Sequence, residues 1–379
     1  MRETPIGRRR LSIRRRFLWP PVMVVAPLAA VALLASGCGG DDDGDTDTAA
    51  SDGGADLTAV KDYLTDHSAR LSEQATTLRE LGEEYHALAE GAGFDYQRLL
   101  AENREDVQRI LDESKQTFVE ANPAYEEMEG IVAGVPRLAQ YDVDIDAGSD
   151  ASDPENAVSF SLELPSGETL KQPGNLFFVT ETSLYGTNPD FLAEGAKADI
   201  DGNGKVDFGE GLPEANVYVA AVREFESQAE SLDADAQEFE PSPSDAFTAI
   251  TVMTPTMSEY FEAWKNSRFI AGAKASEQGF VAASRLSDIA DILEGLVLTY
   301  DQVEPTIAAE NPQQAQQTKT ELQSLLTYVE DLRDQEDAGK KFTAREADTL
   351  GAEAQRQAEA IAGQVTQAAQ QLGIELQEA

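Results

Sequence analysis

The stretch "LTAVKDYLTDHSARLSEQATTLRELGEEYHAL", residues 57–88, decides the fold. Leu57, Val60, Leu64, His67 and Leu71, then Leu78, Leu81, Tyr85 and Leu88, recur at three- and four-residue spacing. In a helix of 3.6 residues per turn that spacing gathers them on one side, so the segment is an amphipathic helix with one face in a bundle. "GAGF", residues 91–94, ends it.

The pattern recurs outward from there. Helices are predicted over about 95–120, 125–138, 176–184, 213–239, 244–269, 279–300, 312–335 and 344–376. Asn311-Pro312 is a cap followed by proline at the first helical position, and Thr343 with Glu346 makes a capping box. Leu322, Leu325, Leu326, Val329 and Leu332 form one apolar stripe; Leu350, Ala354, Ala358, Ile361, Val365, Ala368 and Leu372 form another. Between the helical halves, "YDVDIDAGSDASDPEN" (141–156) reads as an acidic loop and "AVSFSLELPSGETLKQPG" (157–174) as a β-hairpin around Pro-Ser-Gly. The expected class is all-α: an antiparallel helical bundle over residues 57–379 with an irregular, hairpin-bearing lobe inserted at about 142–212.

Within that lobe, "DIDGNGKVDFGE" (199–210) matches the EF-hand calcium loop. Asp199, Asp201, Asn203, Lys205, Asp207 and Glu210 stand at positions one, three, five, seven, nine and twelve, with Gly204 at six. A hard cation takes six to eight oxygens, here from short side chains, the Lys205 carbonyl, a water and a bidentate Glu210. Sensor loops come in pairs flanked by helices, whereas this spacing occurs once and Gly211-Leu212-Pro213 interrupts the exit. The expectation is a structural calcium staple rather than a switch.

The first 37 residues read as a signal peptide: seven arginines precede the apolar run "VMVVAPLAAVALL" (22–34), which is short and broken by proline. "LLASGC" resembles the bacterial lipoprotein box, so Cys38 is the expected acylated terminus and membrane lipid the expected partner, on the extracytoplasmic face. "RRRFL" (14–18) fits a twin-arginine signal as well as an ordinary basic n-region. "GGDDDGDTDTAASDGGAD" (39–56) cannot bury a core and serves as a tether.

The chain carries 29 basic and 70 acidic residues; without the seven Arg and one Glu of the first 37 residues, 22 stand against 69. That balance excludes nucleic acid as a partner and suits cations or high salt. Cys38 is the single cysteine, so disulfides, zinc ribbons and a cysteine nucleophile are excluded. With His67 and His86 as the two histidines, neither a Ser-His-Asp triad nor an HExxH pair can be assembled, and the chain is not expected to be an enzyme. His67 falls on the apolar stripe; His86 has Glu83 and Glu90 at helical spacing, where ion pairing is commoner than chelation. Tyr260, Phe261, Trp264 and Phe269 in "EYFEAWKNSRF" read as core.

Several longer words carry a family resemblance. "SRFIAGAKASEQGFVAASRLSDIADILEGLVLTYDQVEPTIAAENPQQ" (267–314), "LLTYVEDLRDQ" (325–335) and "READTLGAEAQRQAEAIAGQV" (345–365) resemble the C-terminal half of the imelysin-like domain of EfeO-type iron-uptake proteins. "SKQTFVEANPAYEEMEGIVAGVPRLAQYDVDIDAG" (114–148) is similar to the segment leading into that family's metal motif. The resemblance implies an exported helical bundle serving metal acquisition, typically of iron, and working with membrane uptake components such as a permease. The family's motif is an HxxE pair within F-H-x-x-E-x-x-L-W; here "FFVTETSLY" (177–185) places Glu181 at the acidic member and Phe178 at the histidine. An all-oxygen site remains open to hard cations, with Asp142, Asp144 and Asp146 as candidate partners of Glu181. The alternative is a structural or partner-binding lipoprotein that has lost the family site and keeps calcium alone. A peptidase activity is suggested by the family's older name, against the missing histidine and nucleophile.

Overall fold

A computed structural model describes residues 55–377, without the side chains of 194–197. The expected signal segment, Cys38 and most of the tether lie outside the described residues. The long apolar stripe forms α1 (Thr58–Gly91), which runs back against α2 (Tyr96–Val132). Asp95 starts α2 by accepting the Gln97 and Arg98 N–H groups at 3.1 Å each. The expected break near residue 121 is absent, since α2 continues through Pro123; its kink lies earlier, at Asn103 (φ −135°, ψ 26°). Pro123 releases one carbonyl, that of Val119, and Val119 is exposed, so water can satisfy it.

The second half begins with α5 (Ala215–Glu238), which packs along α1. The expected helix over 244–269 is instead α6 (Pro243–Met253), a 3₁₀ turn at Thr254–Thr256, α7 (Met257–Asn266) and the short α8 (Arg268–Ala271). Pro255 and Ser267 mark these breaks. An irregular strap, residues 275–284, leads into α9 (Arg285–Glu310), which starts later than the expected residue 279 and continues through Pro305. It is followed by α10 (Pro312–Asp337) and α11 (Ala344–Leu372), both with the expected caps. α9 lies along α10 and α2, while α11 lies along α7, α10 and α6. At the α2–α9 seam glycine is required. A Cβ on Gly295 would sit 2.4 Å from the Glu127 carbonyl oxygen, and one on Gly130 would sit 2.9 Å from Leu296 Cδ2.

Residues 139–213, which take in the stretch expected to form the irregular lobe, differ from their expected form at the start. The acidic stretch is not an open loop: α3 (Ala139–Asp142) runs into a π turn, Val143–Ala147, that buries Asp144, Ile145 and Asp146. The hairpin is present as β1 (Ser161–Glu163) paired antiparallel with β2 (Thr169–Lys171), Leu162 opposite Leu170. α4 (Leu176–Tyr185) follows, capped by Asn175, and ends in Gly186 at φ +67°. β3 (Leu192–Lys197) and β4 (Gly211–Pro213) pair antiparallel and frame the 199–210 loop. No helix among the described residues is long and apolar enough to cross a membrane.

Candidate metal centre

Where α2, the π turn, α7 and α9 meet, the interior is polar. α2 carries Asn122, Tyr125, Glu126 and Glu129 three, four and seven residues apart, which places them on its inward face, and all are buried. Ser284 caps α9 (Leu286 N–H to Oγ, 3.4 Å), setting Arg285 and Asp288 one turn apart and buried. The π turn brings in Asp146, and α7 brings in Tyr260.

Arg285 ties the group together. Its Nη1 donates to Asp288 Oδ2 at 2.9 Å and to Glu126 Oε1 at 3.3 Å, and its Nη2 donates to Asp146 Oδ2 at 3.2 Å. The guanidinium also lies 3.7 Å from the ring centre of Phe280 and 4.7 Å from that of Tyr260. Asn122 Nδ2 donates to Glu126 Oε1 at 3.0 Å, Tyr260 OH to Glu129, and Tyr125 OH to Asp142 at 2.8 Å.

This charge does not balance. A single guanidinium faces Glu126, Glu129, Asp142, Asp146 and Asp288. Burial, aided by neighbouring like charges, pushes Glu126 and Asp142 well above the usual carboxylate range; burial also raises Glu129, and it brings Asp288 to about 6 in spite of Arg285. Burial opposes the charge on Arg285, but Asp146, Glu126 and Asp288 outweigh it and hold the guanidinium firmly protonated.

Hydrogen bonding is incomplete as well. Oε2 of Glu126, Oε2 of Glu129, Oδ1 of Asp146 and Oδ1 of Asp288 are buried without a partner. Each such group costs about 1–3 kcal/mol. Oxygens of Glu126, Glu129 and Asp146 lie within 4.8 Å of one another, a span that one hard cation bridges with ordinary metal–oxygen distances of about 2.0–2.6 Å. The donors near that point are carboxylates and phenols, with neither histidine present. His67 sits elsewhere, with Nδ1 2.6 Å from the Tyr63 carbonyl oxygen and Nε2 bonded to Glu127, while His86 Nε2 meets Asn216 at 3.2 Å.

The residues expected from sequence divide. Asp146 belongs to the centre. Asp144 does not: it clasps the segment leading into β1 through the Ser159 N–H and Oγ, both at 2.7 Å. Asp142 is spent on Tyr125. Glu181 is buried, but its Oε1 accepts the Val281 and Ala282 N–H groups at 2.9 and 2.8 Å. Phe280, at φ +53°, turns the strap so that these amides converge. Glu181 therefore holds the strap and shares no ligand position with Asp144 or Asp146, contrary to the expected grouping. Phe178, one turn earlier on α4, lies with Glu181 against Gly279 and packs edge-on to Phe191, with ring centres 6.1 Å apart.

Sequence reading missed Glu126, Glu129, Arg285, Asp288 and the polar role of Tyr260. The available signal was that Asn122, Glu126 and Glu129 interleave with the apolar stripe Phe118, Ala121, Tyr125, Met128 and Val132.

The second group of convergent oxygens is the 199–210 loop, where atoms of Asp199, Asp201 and Glu210 lie within 4.8 Å of one another. Gly204 N–H bonds Asp199 Oδ2 at 3.0 Å, Lys205 N–H bonds Asn203 Oδ1 at 2.9 Å, and Asn203 Nδ2 reaches Asp207 at 3.2 Å. Glu210 accepts the Ile200 and Asp201 N–H groups at 2.8 and 3.1 Å and also that of Asp207. Asp199 Oδ1 is buried and has no partner.

Residues 97–372 match the imelysin family, Peptidase_M75. The chain belongs to the imelysin family. The match runs from the start of α2 to the end of α11 and so takes in the carboxylate centre and the 199–210 loop. No curated protein matches the chain.

Proposed function

We propose that this imelysin is an exported, lipid-anchored, non-enzymatic protein that binds a hard metal cation, with iron as its cargo, and passes it to membrane uptake components. The observation that carries this reading is the convergence of Glu126, Glu129 and Asp146, each with a buried oxygen lacking a partner. Carboxylates without sulfur or imidazole favour hard ions, ferric iron among them. Arg285 offsets part of the negative charge before the ion arrives, and Tyr260 orients Glu129. Burial raises Glu126 and Glu129, and a carboxyl must give up its proton to become a ligand, so loading releases protons to solvent.

Cys38 supplies the lipid attachment, and the 199–210 loop takes calcium as a structural ion. Labelled fatty acid should enter the wild-type protein and not Cys38→Ala; equal labelling of both would remove the anchor.

A second reading is favoured by Phe178 and Glu181. With phenylalanine at the family's histidine and Glu181 occupied by strap amides, the protein on this reading is a structural or partner-binding lipoprotein that retains only calcium. Elemental analysis of the domain after exposure to iron at fixed calcium separates the two: one iron per chain supports uptake, and calcium alone supports the rival.

A further inference from the structure

The 199–210 loop is joined to the strap that enters the carboxylate centre. Between the proposed calcium ligands Asp207 and Glu210 stands Phe208, which is 48% exposed and yet held on both sides. Its ring stacks on Tyr185 at the end of α4, with centres 5.8 Å apart and planes 29° apart. The Arg268 guanidinium lies 3.5 Å from its ring centre. Arg268 Nη1 in turn donates to the Val281 carbonyl at 3.3 Å. Val281 N–H bonds Glu181, and Glu181 lies on α4 one turn before Tyr185. Phe208, Arg268, Val281, Glu181 and Tyr185 thus close a ring of contacts.

The loop is also fixed from below. Lys115 Nζ donates to the Gly209 carbonyl at 2.9 Å, and Arg104 Nη1 donates to the Asp199 carbonyl and to that of Ile200 at 3.3 Å. Immediately after Glu210, Gly211 packs so closely on Gly186, the cap of α4, that a Cβ on Gly211 would lie 2.9 Å from the Gly186 Cα.

We propose that calcium bound by loop 199–210 locks α4 to the 275–284 strap through the Phe208–Arg268 contact, so that filling of the loop governs how readily the strap opens beside the carboxylate centre. The inference rests on the loop being a calcium site, for which the buried, unpartnered Asp199 Oδ1 and the complete loop spacing are the support. The consequence follows from linkage. An ion held at both ends of the loop fixes the backbone around Phe208, and any opening that releases Phe208 must then also loosen the ion. Without the ion, the ring of contacts, the loop's bonds to Lys115 and Arg104 and the strap's bonds to Thr187 and Asn266 still oppose opening, but the added cost of losing the ion is gone.

The test is amide hydrogen exchange on the full chain, with calcium either chelated or held at about ten times its dissociation constant, where linkage predicts about tenfold slower exchange for any opening that expels the ion. The wild type should slow at residues 199–210 and also at Val281, Ala282 and α4. Phe208→Ala, which removes a half-exposed ring, and Arg268→Gln should keep the slowing in the loop and lose it in the strap and α4. Slowing confined to the loop in the wild type would overturn the lock while leaving the calcium site in place. An absence of both slowing and binding heat would overturn the lock and the calcium site together. None of these readouts depends on which ion the carboxylate centre carries.

Discussion

At the scale of single residues the decisive pair is Arg285 and Glu181, two buried charges with opposite circumstances. Arg285 is surrounded by acids, so Arg285→Met should leave Glu126, Asp146 and Asp288 without their counter-charge and destabilise the ion-free protein by about 3–5 kcal/mol. Urea unfolding measures this; a loss under about 1 kcal/mol would show that the acids are neutral without it. Glu181 is raised from 4.5 to about 7, chiefly by burial and against the pull of the strap amides. A raised carboxyl takes up a proton on folding between those values, so its contribution falls as pH rises through that window and is level above it. Between about pH 5 and about pH 8 the wild type should lose about 2–3 kcal/mol more stability than Glu181→Gln, which keeps an acceptor oxygen for both amides. A parallel pH profile for the two proteins would contradict the assignment. Glu181 and Asp146 were visible in the sequence as acids in unusual company, but their partners were not. Glu126 and Glu129 were hidden because an acid on an amphipathic helix is ordinarily assigned to water, and because Asn122-Pro123 looked like a helix boundary that would cut their face in two.

At the scale of elements, caps and stripes made α1, α10 and the start of α11 readable almost to the residue, since both signals are local; α11 ends at Leu372 rather than at the expected 376, because Gly373 at φ +69° caps it. The π turn was not readable: "DVDID" alternates acid and apolar residues like a loop, and it becomes helical and buried only because Ser159 and Arg285 receive Asp144 and Asp146 from distant parts of the chain. The late start of α9 has the same origin, because residues 279–284 surrender helical hydrogen bonds to hold Glu181. The seam between α2 and α9 gives the clearest mutational contrast. Gly295→Ala places a methyl 2.4 Å from a backbone oxygen and should cost about 1–3 kcal/mol by forcing the helices that carry the centre apart. Gly363→Ala, in α11 with open space around it, should instead stabilise by up to about 1 kcal/mol. Thermal unfolding of the two variants checks both signs; equal effects would show that the seam yields without strain.

At the scale of the whole molecule, α2, α7 and α9 converge on one polar interior, which the turn at Asp146 joins through Arg285, while Glu181 fastens α4 to the strap beside it. On the proposed reading, the acidic surface concentrates cations near the protein and the carboxylate centre would take one from water. The account stands or falls on where a bound ion sits. The direct measurement is iron binding by titration calorimetry with calcium held constant, comparing the wild type with the double variant Glu126→Gln, Glu129→Gln and with Glu210→Gln. The account predicts one iron per chain in the wild type and in Glu210→Gln, and at least a hundredfold weaker binding in the double variant, a loss of about 2.7 kcal/mol. Iron binding that survives the double variant and disappears in Glu210→Gln, or that is absent from the wild type, would contradict it.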